Sequence, residues 1–89
     1  FRVPRSLAYR EVVEYFTESR PDDPRCTGGA VLRERRGSSW DIVYVFLDDA
    51  SEIVCDDASG EPYGMRRRVD RLDAELEELF DGTDMVRVG

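Results

Sequence analysis

The sequence contains no Lys, no His, no Asn and no Gln. Without His it lacks the commonest general base and metal ligand, and neither Cys26 nor Cys55 can form a Cys–His nucleophile pair. Without Lys the phosphate loop Gly-x-x-x-x-Gly-Lys cannot be written, so nucleotide hydrolysis of that kind is not expected. The two Cys stand 29 positions apart with no Cys-x-x-Cys, giving neither a disulfide framework nor a zinc pattern. No stretch approaches the ~18 consecutive apolar residues of a membrane-spanning helix. Residues 1–20 carry four Arg and three Glu and no apolar core, unlike a secretory signal. The cytoplasm is the expected compartment.

What is present is acid. Twenty Asp and Glu face 13 basic residues, all of them Arg, for a net charge of −7 over 89 residues. That length fits one domain, residues 1–89. The four absent amino acids share codons that begin with A or C followed by A, as a GC-rich gene would avoid. GC drift alone would also raise Ala, yet Ala occurs five times and Asp eleven. Excess Asp without Lys fits a high-salt cytoplasm, where a Debye length of ~3 Å screens the repulsion among carboxylates. The composition resembles that of small cytoplasmic proteins of halophilic archaea; an acidic protein of a GC-rich soil bacterium is the alternative. Such acidity disfavours general binding to nucleic acid.

The hydrophobic pattern predicts an α+β domain in the order α-β-β-β-α, with a possible final strand. Ser6 to Arg20 reads as a helix, with Ala8, Tyr9, Val12, Val13 and Phe16 at three- and four-residue spacing, stopped by Pro21 and Pro24. Ala30 to Arg36 reads as a strand, and Gly37 to Ser39 as the turn into a second strand, Trp40 to Leu47. There Trp40, Ile42, Tyr44 and Phe46 share one face, while Val43, Val45 and Leu47 share the other. A strand apolar on both sides is covered on both sides, and in so short a chain one cover can be a partner. Glu52 to Cys55 reads as a third short strand, followed by a loop to Gly64. Met65, Val69, Leu72, Leu76, Leu79 and Phe80 have the spacing of a second helix, and Met85 to Val88 that of an edge strand. The expected architecture is a small antiparallel sheet of three to four strands with two packed helices.

Two sets of side chains are candidates for function. Arg66, Arg67 and Arg68 precede the apolar register of the second helix, where positive charge opposes the helix dipole and a bound anion would compensate. Pairing with Asp70 and with other carboxylates is the structural alternative. Arg33 and Arg35 share a strand face, and if they met Arg66–Arg68 the two groups would form an anion or RNA site. Trp40, Ile42, Tyr44 and Phe46 are candidates for a partner interface, with core packing as the alternative. Asp48, Asp49, Glu52, Asp56 and Asp57 lack the spacing of a calcium loop and read as solvated surface. No catalytic residue, metal or cofactor is expected. The sequence points to a non-enzymatic interaction or regulatory module that self-associates or binds a protein partner. Binding of a phosphate ligand or RNA through the Arg groups is the alternative.

Overall fold

The computed structural model describes residues 5–88. In chain order its first half comprises strand β1 (Ser6–Leu7), helix α1 (Tyr9–Glu18) and strands β2 (Gly28–Arg36) and β3 (Ser39–Leu47). The second half comprises β4 (Gly64–Val69), β5 (Arg71–Leu72), helix α2 (Ala74–Phe80) and β6 (Met85–Val88). Four strands form an antiparallel sheet in the order β4-β3-β2-β6, and β1 pairs in parallel with β5 as a separate ladder. The protein is thus α+β, with the expected alternation of helix and strand.

The central hairpin follows directly from the sequence pattern. β2 and β3 pair along nine residues each, from Gly28↔Leu47 to Arg36↔Ser39, and Gly37 turns the chain at a φ of 61° that glycine adopts without strain. Period-two alternation then sorts the side chains. Val31, Ile42, Tyr44 and Val69 of the inner face join Leu7 and Val12 and the Leu72, Leu76 and Phe80 side chains around α2 in one buried core. A second cluster, Cys26, Phe46 and Val54, extends it beneath Tyr15, Phe16 and Tyr63. Tyr15 stacks on Tyr44 at 4.5 Å between ring centroids, and Phe16 meets Tyr44 and Phe46 edge-on at 5.6 and 5.3 Å. Burial pushes the Cys26 thiol and the Tyr44 phenol up from their ordinary values, in the latter against the pull of the Arg67 cation.

Three boundaries differ from the sequence expectation, each through a long-range partner. The first helix starts at Tyr9 rather than Ser6, because Ser6 and Leu7 pair with Arg71 and Leu72, 65 positions away. The third strand is Gly64–Val69, not Glu52–Cys55; the latter segment makes only the isolated bridges Leu47↔Ile53 and Cys55↔Pro62. Gly64 opens β4 at a φ of 141°, and a Cβ there would drive into the Tyr44 carbonyl, so this strand start is closed to other residues. The second helix starts at Ala74, leaving Arg66, Arg67 and Arg68 on β4 rather than at a helix N-terminus.

That last correction also removes an electrostatic objection. The helix that does form begins favourably, with Glu75 and Glu77 in its first turn, although Glu78 and Asp81 stand at its other end with no basic residue in the last turn. Asp73 caps it, accepting from the Leu76 amide at 2.8 Å, and its other oxygen accepts from the Tyr9 amide at 3.1 Å. One carboxylate therefore serves the N-terminal ends of both helices and fixes them to each other over the inner face of the sheet.

Candidate functional site

The outer face of the sheet carries a third apolar cluster, built from sheet residues alone: Ala30, Val45 and Leu47 with the half-buried Leu32 and Val43. Register sets their neighbours. Leu32 pairs with Met85, which is 52 % exposed, Ala30 with Arg87, and Val43 with Arg66. Among the described residues no helix packs on this face; the chain beyond β3 reaches only its Leu47 end, through the bridge to Ile53.

At the opposite end the face becomes polar around Asp41, the single charged residue among those described as buried, at 5 % exposure. Arg36 from β2 donates to it at 2.8 Å and Arg68 from β4 at 3.2 Å, while Arg66 stands at 3.9 Å. Burial works to raise the pKa of Asp41, but hydrogen bonds from Arg68 and Arg36 outweigh it and hold the carboxyl below its usual range. One carboxylate thus gathers three guanidinium groups, with Glu34 at 3.5 Å from Arg36 as a further partner. Counting Arg87, four Arg and two acids among the described residues share a face of a protein whose net charge is −7. The carboxylates lie elsewhere in number, on α1 (Glu11, Glu14, Glu18), on α2 (Glu75, Glu77, Glu78) and in the loops.

The Arg residues singled out in the sequence are therefore divided by the sheet. Arg66 and Arg68 lie on the outer face with Arg36, which sequence reasoning did not choose; their convergence depends on β4 pairing with β3, a contact no local pattern encodes. Arg67, Arg33 and Arg35 lie on the inner face, where Ile42 of β3 separates Arg33 from Arg67 by two strand spacings, about 10 Å. Arg33 is packed as a core cation, its guanidinium 4.7 Å from the Trp40 ring centroid and 4.5 Å from that of Phe80, with Asp84 at 3.6 Å. Arg35 lies over the other reach of Trp40 at 4.8 Å. The five expected anion-binding residues do not form one site.

Trp40, Ile42, Tyr44 and Phe46 occupy the inner face. Ile42, Tyr44 and Phe46 are no more than 1 % exposed beneath the helices, so they hold the fold together; on the outer face Val45 and Leu47 are themselves buried, at 7 % exposure each, and Val43 is half-buried. The acidic residues of the 48–57 segment shape turns: Asp48 accepts from the Ala50 and Glu52 amides, and Asp56 from the Ala58 amide, each at 2.9 Å. Among the described residues no group of three or more Cys, Asp or Glu is disposed to hold a metal ion. No described helix is long and apolar enough to cross a membrane. Comparison with protein-family models, curated proteins and solved structures finds no match to this chain.

Proposed function

We propose that the protein is a non-enzymatic interaction module that docks an acidic amphipathic helix of a partner protein on the open face of its sheet. The observation that carries this reading is the pairing of an uncovered apolar stripe, Leu32, Val43 and Met85, with a rim of Arg36, Arg66, Arg68 and Arg87 in a chain that is otherwise strongly acidic. Four strands span about 19 Å, room for one helix of ~10 Å diameter with carboxylates reaching the rim on either side. A second copy laid face to face would bring the Arg rims together, which favours a different, acidic partner. On this reading the module works in a salt-rich cytoplasm, where the carboxylates of its other surfaces are screened.

The Arg cluster also supports the alternative, a phosphate ligand or RNA, because Arg36, Arg66 and Arg68 meet in space. Two observations favour the protein partner: Asp41 already occupies the centre of the cluster, and among the described residues no aromatic side chain lies on the outer face for a base to stack on.

Fluorescence anisotropy with a labelled peptide of Leu and Glu at helical spacing tests the proposal, against wild type, Val43→Glu and the double variant Arg66→Glu/Arg68→Glu. Binding by wild type, weakened by about tenfold or more in both variants, is the expected result. Absence of binding, or binding indifferent to the variants, overturns it. So would a single-stranded RNA that binds through Arg66 and Arg68 without regard to Val43, or a concentration-dependent dimer that Val43→Glu dissolves.

A further inference from the structure

A hollow of about 410 Å³ lies between α1 and the inner face of the sheet. Its floor is one cross-strand row, Phe46, Gly29 and Val88, in register on β3, β2 and β6. Its wall is one side of α1, where Tyr9, Val13 and Phe16 recur at helical spacing. A Cβ at Gly29 would run into the Phe16 ring, so the floor there is bare backbone. The chain does not fill the space: Tyr9, Phe16 and Val88 are only partly buried, and Val13 is 37 % exposed. The volume falls within the ~300–1,000 Å³ of small-molecule sites.

The polar groups are few and gathered at one end. Of the 20 Asp and Glu in the chain none lines the hollow, and among the described residues Arg20 is its one charged member. Arg20 follows the end of α1 and makes no ion pair among the described residues, although Glu18 and Asp22 flank it in sequence. Its charge reaches inward, drawing the Cys26 thiol down against the burial that raises it. Two hydroxyls accompany it. Thr17 already donates to the Val13 carbonyl at 2.9 Å, whereas the Thr27 hydroxyl has no hydrogen-bond partner among the described residues. Tyr9 marks the other end of α1, about 15 Å away along the helix axis.

An elongated apolar space with a cation and a free donor at one end selects an amphiphile with an anionic head. An alkylamine would be repelled by Arg20, and an alcohol would leave its charge unused. The C-terminal end of α1 opposes an anion with about half a negative charge, which the full charge of Arg20 exceeds. We propose that the hollow binds a medium-chain aliphatic carboxylate, its chain beneath α1 and its head on Arg20 and the Thr27 hydroxyl. This site lies on the inner side of the sheet and depends on neither the outer face nor its Arg rim.

Calorimetric titration with decanoate, beside decanol and decylamine and all below micelle formation, tests the assignment. The expected result is saturable binding of decanoate, with the alcohol and the amine weaker by about tenfold or more. Arg20→Gln should bring decanoate down to the level of decanol, and Val13→Glu should weaken it by about tenfold. Both positions are exposed, so the thermal midpoint should hold in each variant. In methyl NMR, decanoate should shift Val13 and Val88 and leave Leu32 and Val43 in place. No saturable binding of decanoate, equal binding of decanol or decylamine, undiminished binding by both variants, or shifts confined to Leu32 and Val43 would each overturn it.

Discussion

The two faces of β3 are nearly equal in apolar content and opposite in fate. On one side Ile42, Tyr44 and Phe46 disappear beneath α1 and α2 and interlock with Tyr15 and Phe16. On the other, Val45 and Leu47 are buried and Val43 half-buried in an apolar cluster of sheet residues, and the face ends at a carboxylate ringed by guanidinium groups. Hydrophobic burial beneath the helices on the inner face accounts for the fold, while on the outer face Leu32 and Val43 stay partly accessible and Met85 exposed, beside the buried Ala30, Val45 and Leu47. Apolar alternation in a strand therefore reports that both faces meet something. It does not say which face the chain itself will cover.

The contrast can be broken most directly by truncating both sides. Phe46→Ala removes a fully buried ring and should cost about 3–5 kcal/mol in urea unfolding. A loss under about 1 kcal/mol would mean that the inner face is not the core. Next in size is Asp73→Ala, which strips one oxygen from the start of each helix and should cost ~2 kcal/mol, the sum of two caps. Loss of a single cap's worth would show that the two helices are fixed independently.

The outer face should respond to acid instead. Asp41 has a folded pKa below its unfolded one, so it adds stability above the ordinary carboxylate range, and that stability disappears as pH falls through the lower folded value. Asp41→Asn should flatten the acid limb of the stability–pH curve at fixed ionic strength, and an unchanged limb would sever Asp41 from its Arg partners. The smallest effect belongs to Val43→Thr, expected within about 1 kcal/mol because Val43 is half-buried on a face no helix covers. A cost as large as that of Phe46→Ala would erase the distinction between the faces.

Much of this fold was legible locally. The β2–β3 hairpin could be read to within two residues from its alternation and from Gly37, and the faces of Trp40–Leu47 were sorted correctly. The segment from Met65 to Phe80 was not, because Met65, Val69, Leu72 and Leu76 fit a helical spacing while Met65, Arg67 and Val69 equally fit a strand. Three Arg at the start of a helix, opposing its dipole, were the physical sign that the helical reading of that stretch was wrong. Pairing with β3 settles it, and that pairing crosses a loop of 16 residues, from 48 to 63. The site was less legible than the fold. Arg36 and Asp41 gained significance only when β2 and β4 were placed on either side of β3, and Asp73 only when it reached Tyr9.

Methyl NMR of the protein titrated with the Leu–Glu helical peptide tests the central claim, that the outer face is a docking surface. The account predicts that Leu32, Val43, Val45 and Met85 shift with peptide concentration while Val31, Ile42 and Val69 do not, a period-two pattern along the strands. Shifts confined to the inner-face methyls, or none on either face, would contradict it.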